Sequence, residues 1–378
     1  MAGDANSGYS SIQPGTLRTR EIGRRSPVVN APGIARCLAR KAILTEQYSK
    51  QSLYSLLSAW WDNVAAVSIQ PHVASSGLSG ALIWRVTHAN HTYCLRRWPR
   101  EHPTPEQLSD VHGLLHHLQR QAIDWAPVPL VDRQGQSIHL RDGHLWELTP
   151  WLPGEPALCD QPTPARRHAA LRCLAQFHQA AHSYAEATAG PAPGLLARRE
   201  LLCELRDGGM ARLRKAVLAK PASGWDPIAT EMVTPMERSL PEVLRRLESF
   251  ADAALPLQWC LRDVKCDHVL FEGDRVSGLI DFGAADIDSV AVDIARLLGS
   301  ILGDKREEWP PAIDAYHAVR PLSNDERRAI ELFDTGGTLA ASSNWLRWLF
   351  VEGRQFPATL AVRDQLEGLH ARLRTLGE

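Results

Sequence analysis

Three residues in one short stretch have the types and spacing that phosphoryl chemistry needs. In LRDVKCDHVLFEGDRVSGLIDFG, from Leu261 to Gly283, Asp263 is followed five residues later by His268 and eighteen residues later by Asp281. A carboxylate in a tight loop can accept the proton of an attacking hydroxyl. A second carboxylate at the same edge can offer hard oxygen ligands to the magnesium ions that bridge phosphates. Lys265 adds a positive charge two residues after Asp263, where it could steady a transferring phosphoryl group.

These side chains must be brought together by the elements around them. A short strand is expected from Leu257 to Leu261, and Val269-Leu270-Phe271 with Val276–Ile280 reads as a hairpin around Glu272-Gly273-Asp274. Such a hairpin places Asp263, His268 and Asp281 at one edge. Upstream, apolar residues at helical spacing predict a leading helix over 42–61. Strands are expected at 81–86 and 93–98, then a helix over 105–119 that opens on Thr104 and Pro105 in N-cap and first-turn order. Further strands are expected near 128–131, 137–140 and 144–148, with Gln134-Gly135 and Asp142-Gly143 as turns. Beyond Trp151-Leu152-Pro153-Gly154, helical patterns dominate (164–183, 194–219, 234–252, 289–303, 323–349 and 357–376), interrupted by a strand-rich insert from 258 to 281. The expected fold class is α+β in two lobes: a small N-terminal lobe with an antiparallel sheet and a larger, mainly helical C-terminal lobe. Residues 1–30 read as a disordered tail, 31–151 as the first lobe and 152–378 as the second.

The stretch from Asp263 to Asp281-Phe282-Gly283 resembles the catalytic core of the aminoglycoside phosphotransferase and choline kinase-like family, relatives of the protein kinases. Leu261-Arg262-Asp263-Val264-Lys265 lies between that family's His-Gly-Asp loop and the protein-kinase His-Arg-Asp loop. Val292-Asp293-Ile294-Ala295 is similar to the family's later step, whose Asp braces the catalytic loop. The resemblance implies a protein-kinase-like fold and an ATP-dependent kinase acting on a hydroxyl of a small molecule, with magnesium as cofactor and manganese as an alternative. It implies Asp263 and Lys265 as catalytic residues and His268 and Asp281 as metal ligands. It further implies a phosphate-covering loop at Ser76, Gly77, Ser79 and Gly80, and Arg96 rather than Arg97 as the cation on the nucleotide. The segment Leu148, Thr149 and Trp151 would meet the adenine edge.

Two departures stand out. The helix over 105–119 offers His112 where an acid should pair with Arg96, with Glu106 and Asp110 about one turn or less away. His268 stands where the family carries an Asn, and imidazole is a softer donor than magnesium prefers. His268 either ligates metal as neutral imidazole or holds phosphate as imidazolium, and Asp267 beside it offers an oxygen. The alternative to a working kinase is a catalytically impaired, nucleotide-binding relative. A metallohydrolase built on the histidines and Asp281, Asp286 and Asp288 is a third reading.

Composition narrows the partners. The chain has 378 residues, with 42 Lys and Arg against 43 Asp and Glu, which excludes a strongly basic nucleic-acid binder. No apolar run is long enough to predict a membrane span. Seven scattered cysteines without a C-x-x-C pair predict free thiols and a reducing, cytoplasmic setting. Residues 155–378 contain 27 basic and 32 acidic side chains, an acidic balance that favours a cationic acceptor.

Overall fold

The computed structural model describes residues 48–72, 80–160, 162–186, 188–219, 226–354, 356 and 359–376. Ser76, Gly77 and Ser79, together with the tail, lie outside the described residues.

The first lobe is an antiparallel sheet of five strands in the order β1-β2-β3-β5-β4. They are β1 (Ser68–His72), β2 (Leu82–His88), β3 (His91–Arg97), β4 (His139–Arg141) and β5 (His144–Pro150). Alternation in β2 turns Leu82, Trp84 and Val86 inward and leaves Arg85 exposed. The inward residues meet Leu95, Trp146 and Leu148, and helix α1 (Lys50–Leu57) covers them with Leu53, Leu56 and Leu57. Asp142 and Gly143 both have positive φ, so the β4–β5 hairpin turns where Asp-Gly was read as a turn. The segment at 128–131 forms no regular strand, although Leu130 N–H still donates to the Leu148 carbonyl at 2.7 Å. Its Pro129 has no N–H to extend a ladder. Helix α2 (Pro105–Arg120) starts on a capping box made by Thr104 and Gln107, and lays Leu108, Val111, Leu114, Leu115 and Leu118 against the core.

The second lobe is helical. Helix α3 (Pro164–His182) leads to β6 (Thr188–Gly190), α4 (Pro193–Glu204), α5 (Met210–Ala219) and α6 (Asp226–Glu248). The helix expected across 194–219 is broken between α4 and α5, where Asp207 leaves the helical region and Gly208 takes φ +109°. Then come β7 (Leu255–Cys260), the hairpin β8 (Val269–Glu272) and β9 (Arg275–Leu279), and β10 (Asp286–Asp288). Strands β10, β7 and β6 form a small antiparallel sheet. Helices α7 (Ala291–Leu302), α8 (Trp309–His317), α9 (Asn324–Leu346) and α10 (Thr359–Leu376) complete the lobe. The sequence reading missed β1, β6, β10 and α8. Among the described residues no helix is long and apolar enough to cross a membrane.

The cysteine expectation needs correcting. Cys159 and Cys266 are joined by a disulfide with a Cα–Cα distance of 5.3 Å, tying the segment after β5 to the loop that carries Asp263. The two are 107 residues apart in sequence, so spacing alone carried no sign of the pairing. Cys94, Cys173, Cys203 and Cys260 are free.

Candidate active site

The loop between β7 and β8 is held from behind. Asp293, on the first turn of α7, accepts the Leu261 N–H at 2.6 Å and the Arg262 N–H at 2.7 Å. Its carboxylate is fully buried and also meets His178 Nε2 at 3.1 Å, while His178 Nδ1 lies 2.7 Å from the Tyr316 hydroxyl. Burial pushes the His178 pKa down, despite its contact with Asp293. His178, Cys260 and Asp293 form a close His/Cys/Asp group, but their hydrogen bonds to the loop, to Tyr316 and to the Asp288 carbonyl make it a brace. Arg262 sits at φ +62°, which aims its side chain away from Asp263 toward Asp286 (2.9 Å) and Asp288 (3.7 Å).

Asp263 lies in the loop that this brace holds, and Asp281 follows β9. Arg296 of α7 hydrogen-bonds the Asp263 carboxylate, and Lys265 Nζ lies 3.8 Å from its other oxygen. Asp281 holds φ +68° and ψ 63°, a left-handed conformation that is uncommon for a residue with a Cβ. Phe282 behind it is buried edge-on against Phe177, with ring centroids 5.8 Å apart. Gly283 passes so close to Trp98 that a Cβ would fall 2.6 Å from Trp98 Cη2. Buried neighbours on both sides thus fix where the Asp281 carboxylate points.

Arg96 reaches that carboxylate from β3: Nη1 lies 3.5 Å from Asp281 Oδ1, and Nε lies 3.6 Å from Glu147 Oε1. Its guanidinium also covers the Trp98 ring at 4.7 Å. Burial opposes the Arg96 charge, but the Glu147 and Asp281 carboxylates outweigh it and raise the pKa. Arg97 turns to the other face, where it donates to the Tyr48 hydroxyl at 3.0 Å. The acid missing from α2 therefore comes from β5. Arg96 and Glu147 are direct partners in the β3–β5 register, so their side chains share a face. His112 of α2 completes the arrangement, with Nε2 2.8 Å from Glu147 Oε2 and Nδ1 2.7 Å from the Ser137 hydroxyl. Sequence reasoning missed Glu147; an acid inside the otherwise apolar run Leu145 to Leu148 was the available signal.

His268 Nε2 stands 3.6 Å from Asp267 Oδ1 and 3.6 Å from Asp281 Oδ2, while Nδ1 is buried without a hydrogen-bond partner. Asp267 and Asp281 thus each approach the His268 imidazole, and Asp281 also meets the Arg96 guanidinium; carboxylate oxygens of this kind suit a divalent cation bound to phosphate. Gly80, two residues before β2, has φ +75°. At the other end of the cleft, the Leu148 carbonyl is engaged by Leu130 and the Trp151 N–H donates to the Thr92 carbonyl at 2.9 Å. Thr149 is buried in register with Cys94, and Trp151 packs edge-on against His72.

A sheet lobe and a helical lobe, with an acid from the β9–β10 turn facing a strand cation, is the architecture of a protein-kinase-like phosphotransferase. The profile of the phosphotransferase enzyme family matches residues 72–333, and the chain belongs to that family. Its activity is ATP-dependent transfer of phosphate to a hydroxyl of a small molecule, with a divalent cation. The homoserine kinase of Beijerinckia indica subsp. indica is 30% identical over 246 residues, covering 63% of this chain and 69% of the relative. That of Granulibacter bethesdensis is 27% identical over 258 residues, covering 65% and 71%. In fold, the chain is similar to a spectinomycin phosphotransferase solved with ADP and spectinomycin (TM-score 0.60, 10% identity, covering 86% of this chain and 94% of the other). It is also similar to a microcompartment-associated aminopropanol kinase (TM-score 0.57, 14% identity, covering 87% and 99%).

Proposed function

We propose that Asp263 is the group that orients and deprotonates the acceptor hydroxyl, and that Arg96, Asp281 and His268 hold the phosphate end of ATP. The observation that carries this reading is the run of contacts from Glu147 through Arg96 and Asp281 to His268, which ends in the loop that bears Asp263. The hydroxyl oxygen forms a bond to the γ-phosphorus, the bond from phosphorus to the bridging oxygen breaks, and ADP leaves. The hydroxyl proton passes to an Asp263 carboxylate oxygen. Lys265 and Arg296, both against Asp263, supply positive charge where the transferring phosphoryl group passes. Asp281, His268 and neighbouring Asp267 would hold magnesium, or manganese, which neutralises phosphate charge when bound. Arg96 contacts phosphate oxygens through its planar fork. The family resemblance assigns the phosphate-covering role to Ser76, Gly77, Ser79 and Gly80, where glycine backbone N–H groups can meet phosphate oxygens. Leu148, Thr149 and Trp151 line the adenine side, through faces and groups not already used by the sheet.

The impaired relative is the alternative on two grounds, the helix without an acid and His268 in place of an Asn. Glu147 beside Arg96 speaks against the first of these, and the His268→Asn comparison bears on the second. The relatives' substrate points to an acceptor of about the size of homoserine. Its charge is governed by the side chains nearest Asp263 rather than by the lobe-wide acidic balance, and those side chains are cationic. Incubation with ATP, magnesium and a panel of small hydroxyl compounds tests the reading. Acceptor-dependent ADP formation with a phosphorylated product is expected, whereas ATP binding without product from any hydroxyl compound would refute it.

A further inference from the structure

The disulfide between Cys159 and Cys266 ends in the loop that carries the reacting groups. Cys266 stands between Lys265 and Asp267, in the single turn Cys266–His268 that connects the loop to β8. Its partner Cys159 lies at the far end of the segment that leaves β5. Cys159 is exposed and Cys266 half-buried, so the bond is open to a thiol in solution from the Cys159 side.

The two segments differ in what else holds them. The one after β5 is anchored without the disulfide. Glu155 and Phe271 exchange backbone hydrogen bonds at 3.1 and 2.9 Å, and the Ser277 hydroxyl donates to the Pro153 carbonyl at 2.8 Å. Gly154, at φ +96°, passes so near the hairpin that a Cβ would fall 2.8 Å from the Phe271 carbonyl oxygen. Leu158 is fully buried. The turn at Cys266 is held more lightly. The Cys266 N–H donates to the Ser300 hydroxyl of α7 at 2.9 Å, and the Ile280 N–H to the His268 carbonyl at 2.9 Å. The His268 N–H donates to the Lys265 carbonyl at 3.1 Å, a bond internal to the turn that does not fasten it to the lobe. Opening the disulfide therefore spares the fold and acts on the turn, because local stability follows the number of ties a segment keeps.

We propose that Cys159 and Cys266 form a reversible redox site: their disulfide holds Lys265, Asp267 and His268 in the arrangement that takes magnesium-ATP, and reduction by a dithiol loosens the turn and weakens that binding. The inference rests on the metal reading above. A thiolate of the dithiol bonds to the Cys159 sulfur, the protein S–S bond breaks, and Cys266 leaves as a thiolate. The second sulfur of the dithiol then displaces Cys159, and the two protons of the dithiol end on the two cysteines. Two electrons pass to the protein, and the reductant becomes a cyclic disulfide. A small-molecule disulfide reverses the exchange.

The full chain is compared oxidised and after reduction by dithiothreitol, with the state of the Cys159–Cys266 link read by peptide mass. Hydrogen exchange of the peptide 264–268, which contains the hydrogen-bonded Cys266 and His268 amides, should quicken about tenfold on reduction, while that of β8 and β9 holds. Binding of a non-hydrolysable ATP analogue is measured with and without magnesium. Reduction should raise the magnesium-supported Kd about 3- to 10-fold and leave the metal-free Kd within about twofold, and re-oxidation should restore both. Cys159→Ser opens the link without altering the loop, so it should match the reduced protein and ignore the reductant. That variant keeps the free thiols of Cys94, Cys173, Cys203 and Cys260, which isolates the disulfide. The wild-type comparison needs no variant and decides the matter if Cys159→Ser does not fold. Equal exchange at 264–268 in the two states overturns the inference. So does an unchanged magnesium-supported Kd, an equal loss with and without metal, or a response to reductant that persists in Cys159→Ser. Failure of the metal reading shows differently. If Asp281→Ala leaves the magnesium response of the oxidised protein intact, that reading falls, while faster exchange and weaker magnesium-ATP binding on reduction still support the redox site.

Discussion

Replacing Glu147 by Gln removes one negative charge from beneath Arg96 while keeping the side chain's shape. Only 8% of the Glu147 side chain and 17% of the Arg96 side chain are exposed, so water replaces little of the lost partner. Breaking a buried ion pair by neutralising one member costs about 3–5 kcal/mol when the other charge is stranded. Arg96 is not wholly stranded, because Asp281 remains 3.5 Å away. The amide can also keep one hydrogen bond toward His112. The expected loss is therefore about 2 kcal/mol, toward the lower end set by a charge-assisted hydrogen bond. The change has a second consequence. With Glu147 neutral, Asp281 becomes the only carboxylate on Arg96 and is drawn toward the guanidinium, away from a phosphate-bound cation. Affinity for magnesium-ATP should fall about tenfold, corresponding to ~1.4 kcal/mol. Urea unfolding measures the first quantity, and calorimetric titration with a non-hydrolysable ATP analogue the second. A stability change below about 0.5 kcal/mol with unchanged affinity would refute the claim that Glu147 takes the place of a helix acid.

Other substitutions probe separate parts of the account. Asp281→Ala should weaken ATP binding in the presence of magnesium more than in its absence; equal losses would move the metal site elsewhere. His268→Asn exchanges imidazole for an oxygen donor and should keep or improve magnesium-supported turnover. Turnover that falls with no change in metal dependence would remove His268 from the ligand set. Burial pushes the Asp288 carboxyl up to about 6, against ~3.9 for an unfolded chain. With the folded value the higher one, its stabilising contribution is full below about pH 4 and lost as pH rises through about 6, a change of roughly 2–3 kcal/mol. Urea unfolding of wild type and Asp288→Asn across pH 4–7 should differ in slope over that window, and parallel curves would contradict the assignment.

What could be read from the chain depended on how locally each feature is encoded. The loop from Asp263 to Asp281 is contiguous, and its hairpin is marked by alternating apolar residues around Glu272-Gly273-Asp274, so the approach of His268 to Asp281 was legible. The bracing role of Asp293 was legible through the family resemblance, and its two hydrogen bonds to the loop backbone bear it out. Glu147 was not legible, because its pairing with Arg96 depends on the β3–β5 register, which strand lengths alone do not fix. Arg296 lies on a helix whose apolar face was readable, but its approach to Asp263 is a product of helix packing. The break between α4 and α5 falls at a Gly pair within a continuous helical pattern, where Gly208 adopts a conformation the periodicity cannot reveal.

The central claim is that Asp263 acts on the acceptor hydroxyl and not on the nucleotide. It is tested most directly by comparing wild type with Asp263→Asn, using the best hydroxyl acceptor found for the wild type. ADP release and phosphorylated product are followed in one assay, and magnesium-ATP binding in another. The account predicts a fall of about 10²–10⁴-fold in transfer, with magnesium-ATP affinity within about twofold of wild type. Undiminished transfer in the Asn variant, or a loss of nucleotide affinity large enough to explain the loss of transfer, would contradict it.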